Sequence, residues 1–162
     1  EISDEGELTV TIPAEQNYAP GSYGLGANIM VAVTHNIYDT FLKFRSVAGC
    51  FKFQLQGDGI TMKTITLKGN ENEKLAGKAY VTAAYGKAPT LSMADDATST
   101  ITLNCGEGVE LEKETPAVFM TMIPPTIFEK GITVTMEDIN GEVYTQSSSE
   151  RLVVDRNMIH HI

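Results

Sequence analysis

The sequence predicts an all-β protein of the antiparallel β-sandwich type. Three observations carry that expectation. Apolar side chains recur at every second position, turn residues interrupt those runs at short intervals, and the 3.6-residue period of a helix is hardly seen.

Along the chain, Leu8, Val10 and Ile12 alternate with Thr9 and Thr11, as in a strand with one dry and one wet face. Residues 18–26, rich in glycine and containing Pro20, read as a long connection, or as a seam between an earlier module and a domain starting near Phe41. Ser46-Val47-Ala48-Gly49 is the best helix candidate, a single turn. Phe51, Phe53 and Leu55 then alternate with Lys52, Gln54 and Gln56, and Gln56-Gly57-Asp58-Gly59 supplies a turn. Between Met62 and Ile65 the apolar parity switches, which predicts a bulge or a strand that changes neighbours. Asn70-Glu71-Asn72-Glu73-Lys74 reads as an exposed loop.

Two further runs, Ile101 with Leu103 and Val109 with Leu111, are separated by the turn signal Gly106-Glu107-Gly108. Ala117–Ile123 is apolar at both parities, so it is expected to be a central strand or one covered on both sides. Pro124-Pro125 should stop it, because proline has no N–H for a ladder. Ile132, Val134 and Met136 form the last clear alternation, and Asn140-Gly141 behind it is the best hairpin signal in the chain.

The 162 residues suffice for one domain with a real core. With 21 acidic against 12 basic residues, the formal charge of −9 repels phosphate backbones and argues against a nucleic-acid partner. No run approaches the roughly 18 apolar residues of a membrane span, and the first residues lack the pattern of a signal peptide. A leader or lipid-anchored segment removed upstream remains compatible with this. Cys50 and Cys105 permit one disulfide bridge, closing a loop of about 55 residues worth roughly 4 kcal/mol in the chain-entropy description. Two buried free thiols are the equal alternative.

The residues offer no catalytic constellation, and the expectation is a protein that is not an enzyme, without cofactor or metal. Gly21, Gly24 and Gly26 invert the dinucleotide fingerprint and open no amphipathic helix. No phosphate-binding loop, nucleophile elbow or H-E-x-x-H is present. The adjacent His160 and His161 would point to opposite faces of a strand, and His35 is the only other histidine. Asp95-Asp96 and the acids Glu107, Glu110, Glu112 and Glu114 read as a solvated surface rather than a calcium site. Among six tyrosines, Tyr18, Tyr23 and Tyr85 fall in loops or at their edges, and Tyr18 and Tyr23 are the candidate ligand contacts.

A sandwich also leaves strand edges that a second chain can complete. Residues 7–12 and 152–162 are extended in pattern, and Leu152, Val154, Met158 and Ile162 mark the latter as a candidate strand-exchange segment. Two ordinary strands within the same domain are the alternative.

An ordered series of segments, each without specific chemistry, then takes on meaning together. These are Phe44-Arg45-Ser46-Val47-Ala48-Gly49-Cys50-Phe51-Lys52-Phe53, Ile65-Thr66-Leu67-Lys68-Gly69-Asn70, Ile101-Thr102-Leu103-Asn104-Cys105-Gly106-Glu107-Gly108-Val109, Ile123-Pro124-Pro125-Thr126 and Lys130-Gly131-Ile132-Thr133-Val134-Thr135. In that order the chain resembles the fimbrillin-like proteins of the Bacteroidetes, the family of type V pilus subunits. The resemblance implies transthyretin-like, Greek-key sandwich modules. It implies an extracytoplasmic protein at the cell surface, outer membrane or fimbrium, processed from a lipoprotein precursor. It further implies a structural or adhesive role, with other subunits or a second copy as partners through strand addition, and host protein or glycan as further partners. In the family's layout, residues 1–40 would be the last strands of a preceding module and residues 41–162 the main sandwich. A stand-alone surface module that binds glycan or host protein is the alternative function.

Overall fold

The computed structural model describes residues 7–162, and among them every regular element is a strand. In chain order these are β1 (Glu7–Ile12), β2 (Glu15–Ala19), β3 (Ser22–Tyr23), β4 (Met30–Val31), β5 (Arg45–Ser46), β6 (Gly49–Leu55), β7 (Thr61–Gly69) and β8 (Gly77–Thr82). They continue with β9 (Thr90–Met93), β10 (Thr100–Glu110), β11 (Ala117–Ile123), β12 (Thr126–Phe128), β13 (Ile132–Asp138), β14 (Val143–Ser148), β15 (Leu152–Val154) and β16 (Ile159–His161).

One layer is a six-stranded sheet in the order β14-β13-β7-β10-β2-β3. Facing it are the sheets β11-β6-β16 and β1-β8-β9 and the pair β12-β15, and a further pair, β4-β5, lies beside them. The alternating residues meet between the layers. Ile65, Leu67, Ile101, Leu103, Ile132 and Val134 from the large sheet pack with Phe51, Phe53, Phe119 and Ile123 from the β6–β11 side. Ile12 and Ala79 from β1 and β8 join the same cluster, so strands on both sides of position 40 share one core. Phe51 is fully buried, with the rings of Phe53 and Phe128 at centroid distances of 6.1 and 6.2 Å.

Most pairings are antiparallel, as expected, but two are parallel: β2 with β10, and β16 with β6. Parallel neighbours cannot be joined by a tight turn, so each pair unites segments far apart in sequence. The parity switch in β7 is a bulge at Lys63: β13 and β10 both pair with Thr64 and Met62 and step over the residue between. Its ammonium donates to the carbonyl of Gly106 on β10.

Gly106-Glu107-Gly108 is not a turn between two strands. Both glycines have positive φ, 62° and 114°, but the chain does not reverse there, and β10 runs through the irregularity to Glu110. A Cβ at Gly108 would lie 2.6 Å from Thr61 Cγ2, so this close crossing also needs the missing side chain. The single helical turn expected at residues 46–49 is likewise absent. Ser46 ends β5 and its Oγ accepts from the Ala48 N–H at 3.3 Å, a serine turn that competes with helix.

Ala117–Ile123 is covered on both sides rather than central. Its Phe119 and Ile123 enter the main core, whereas Met120 and Met122 pack with Ala27, Ala48 and Cys50. The strand ends before Pro124, as expected. Asn140-Gly141 turns the β13–β14 hairpin, with Gly141 at φ 81°. Beneath it Asp138 Oδ1 accepts from the N–H groups of Asn140 and Glu142 at 2.8 and 2.9 Å. Burial pushes the Asp138 carboxyl up, but these donors outweigh it and hold the group below its ordinary value.

Candidate functional site

β11 pairs on one side with β6, which leaves its other edge without a strand. The buried side chain of Gln16, on β2, fills that role. Its Nε2 donates to Met122 O at 2.6 Å, and its Oε1 accepts from Met122 N at 2.8 Å and from Thr121 Oγ1 at 3.0 Å. A primary amide presents the same donor and acceptor as a peptide unit, so one side chain substitutes for a neighbouring strand at this point. The edge is closed without a ladder.

The other side of β6 is closed by the end of the chain. β15 pairs with β12, Val154 opposite Thr126, and Val154 is buried in the main core. The backbone then passes so close to the start of β6 that a Cβ on Gly49 would lie 2.5 Å from Asp155 O. Arg156 Nη1 donates to Ser46 O at 2.8 Å, and Asn157, at φ 61°, turns the chain while its N–H donates to Ala48 O at 2.8 Å. From there β16 runs parallel to β6, with Ile159, His160 and His161 opposite Cys50, Phe51 and Lys52.

The two halves of this segment differ in how they are held. Leu152 and Val154 are anchored in the core, but Met158, Ile159 and Ile162 are each about half exposed, at 54%, 53% and 47%. The inward side chain of β16 is His160, edge-on to Phe51 at 6.2 Å, with Nε2 accepting from the Asp155 N–H at 3.3 Å. His161 is exposed on the opposite side, as expected of adjacent strand residues. Residues 157–162 are held by backbone hydrogen bonds, including Cys50 N to Met158 O at 2.9 Å and Ile162 N to Lys52 O at 3.1 Å, and by the partial cover of His160 on Phe51 and of Ile162 beside Phe53 and Leu55.

The remaining candidates fall elsewhere. Cys50 and Cys105 form no bridge: both are free and buried, Cys50 beside Met122 and Ala48, Cys105 within the main core. Burial pushes each thiol up to about 11, against a smaller opposing effect of the Thr121 backbone on Cys50 and of the Lys63 charge on Cys105. Residues 18–26 are not one open connection. Tyr18 and Tyr23 stand opposite each other in the β2–β3 hairpin, in strands rather than in a loop. Tyr18 packs on Phe119 with ring centroids 5.3 Å apart, whereas Tyr23 is at the surface, its hydroxyl accepting from Asn28 Nδ2 at 3.0 Å. A groove of about 190 Å³ between Tyr23, Asn28, Met122, Asn157 and Met158 runs beside the start of β16.

Gln16, Arg156 and Asn157 were not singled out by sequence reasoning. Gln16 lies in the polar stretch Glu15-Gln16-Asn17, which carries no apolar alternation, and only the position of the β11 edge reveals its use. Among the described residues, no three His, Cys, Asp or Glu side chains gather to hold a metal, and no helix is long and apolar enough to cross a membrane. Compared with known proteins, the chain matches no family model, no curated protein and no solved structure.

Proposed function

We propose that the chain is a structural or adhesive subunit of a cell-surface fimbria, and that its last residues pass to the β6 edge of a second copy. The observation that carries this reading is the unequal anchoring of residues 152–162: β15 is fixed in the core, whereas β16 is a short strand resting on an edge. The sequence resemblance to fimbrillin-like proteins supports the same role and a surface location reached through a processed precursor. Strand addition draws affinity from the backbone, and β6 already offers its N–H and C=O groups to an incoming strand.

The test removes residues 157–162 and keeps the buried Val154. The shortened chain is expected to remain folded and to bind a synthetic peptide of residues 155–162, detected by fluorescence polarisation. The full chain is expected to form concentration-dependent oligomers by light scattering, and the shortened one to stay monomeric. A shortened, folded chain that ignores the peptide, together with a full chain monomeric at all concentrations, would refute the reading. Immunogold labelling of cells gives an independent check, since label confined to the interior excludes a fimbrial role.

A stand-alone binding module is the second reading. It is favoured by one observation outside the β16 region, the exposed rings of Phe41 and Tyr85 lining a single groove.

A further inference from the structure

The groove lies where the segment after β4 folds back toward the turn between β8 and β9. The buried Val31, on β4, and Arg45, its partner on β5, both line it. Phe41 and Lys43 form one part of the lining, and Tyr85, Gly86 and Lys87 form a second wall. The second wall is a tight turn: Lys87 N donates to Ala84 O at 3.1 Å, and Gly86 has a φ of 73°. The volume is about 250 Å³.

Two properties of this groove bear on what it can hold. The chain has a formal charge of −9, yet Lys43, Arg45 and Lys87 line the groove against a single carboxylate, that of Asp39. Among the described residues, none of these three cations is in an ion pair, although Lys43 Nζ lies over one face of the Phe41 ring, 5.9 Å from its centroid. The Asp39 oxygens are already occupied in part, accepting from the N–H groups of His35 at 3.3 Å and Phe41 at 3.1 Å. The second property is aromatic exposure. Phe41 is 70% and Tyr85 56% exposed, and Tyr85 is held in place by the edge-on ring of His35, 5.0 Å away.

Like charges gathered on an oppositely charged surface repel one another unless an anion sits between them. A guanidinium matches a carboxylate with two parallel hydrogen bonds, and the ammonium groups add charge without strict geometry. Exposed ring faces offer an amphipathic surface against which the C–H side of a sugar can lie. A groove of this size is below the usual range for drug-sized ligands, roughly 300–1,000 Å³, and so suits one ring rather than several. From these properties we infer that the groove binds a single carboxylate-bearing sugar residue, a sugar acid of the uronate class, with Arg45 and the two lysines on the carboxylate and Phe41 and Tyr85 against the ring.

This assignment does not depend on strand exchange, because none of its residues belongs to β6, β11 or the chain end. The test is a titration of the full, folded chain with glucuronate, followed by heteronuclear NMR. Glucose serves as the neutral control and inorganic sulfate as the simple anion. At the usual efficiency of a small ligand, the dissociation constant should be about millimolar. Shifts should concentrate at residues 41–45 and 83–87. Loss of one charge-assisted hydrogen bond corresponds to at least about a tenfold weakening, expected for Arg45→Gln. Tyr85→Ala should weaken glucuronate several-fold while leaving sulfate unchanged. Lys87→Gln, on an exposed turn, repeats the charge test where Arg45→Gln disturbs the β4–β5 pair. The inference is overturned by the absence of shifts at 20 mM glucuronate, by equal binding of glucose, or by glucuronate binding no tighter than sulfate. Insensitivity to both charge variants also overturns it. Failure here leaves the peptide-binding test of β16 unaffected, and the reverse holds.

Discussion

At the scale of single residues, Gln16 shows how much a buried amide can decide. Replacing it with alanine removes three hydrogen bonds at once and leaves the Met122 N–H and C=O buried without partners. Each unsatisfied buried group costs about 1–3 kcal/mol, so Gln16→Ala should lower stability by about 2–6 kcal/mol. Urea denaturation measures this, and an unchanged midpoint would show that β11 does not rely on the amide. The thiols provide a second residue-level prediction. With both held protonated by burial, Cys50 and Cys105 should resist Ellman's reagent in the native protein at pH 8 and react on unfolding. A folded value raised above the ordinary thiol value of 9.0 contributes stability that is present below about pH 9. It is lost as pH rises through about 11. Denaturation midpoints between pH 8 and 11 should therefore fall, and replacing both cysteines with alanine should flatten that decline.

At the scale of elements, the close passage of Asp155 over Gly49 links the start of β6 to the placement of β16. Gly49→Ala would put a Cβ 2.5 Å from a backbone oxygen and 2.7 Å from Val154 Cγ1, so the turn between β15 and β16 must shift. The expected cost is about 1–3 kcal/mol. Amide exchange should report the shift locally, with the Cys50 N–H, now bonded to Met158 O, exchanging at least tenfold faster while amides of β7 and β13 change less. Uniform acceleration would place the strain elsewhere. The strands themselves were legible because a sandwich imposes period two on each sheet face, and the Lys63 bulge was legible because a single extra residue reverses that parity. Gly106 and Gly108 misled because a positive φ serves turns and bulges alike, and the sequence around them does not say whether the chain reverses. Ser46 misled in the opposite sense, its hydroxyl satisfying the Ala48 N–H outside any helix. The parallel pairing of β2 with β10 and of β16 with β6 was not legible at all. Such contacts join segments with no turn between them, and their register depends on the assembled core. The same reason hid most of the candidate site, since Gln16, Arg156 and Asn157 acquire roles only from backbone groups distant in sequence.

At the scale of the whole molecule, the fold closes its exposed edges by different means. β11 is closed by one side chain, β6 by the chain's own end, and the large sheet ends at β3, which has two residues, and at β14. Removing residues 157–162 takes away a few backbone hydrogen bonds, each worth about 0.5–1.5 kcal/mol net, but also releases six residues whose ordering costs about 1–2 kcal/mol each. The two effects are of the same order, which is why the shortened chain is expected to stay folded. The groove lined by Phe41 and Tyr85 lies outside this region, so ligand binding there would not depend on where the chain end sits.

The direction of β16 has a further consequence for any assembly built from it. Donor and acceptor are different surfaces of the molecule, a tail and the flank of β6, so a contact between two copies need not place them on a two-fold axis. Two molecules can trade tails and close into a symmetric pair, and growth then stops. If instead each passes its tail onward, the row keeps a spare tail at one end and a bare flank at the other. Such a row is polar, and subunits joining its two ends meet chemically different surfaces.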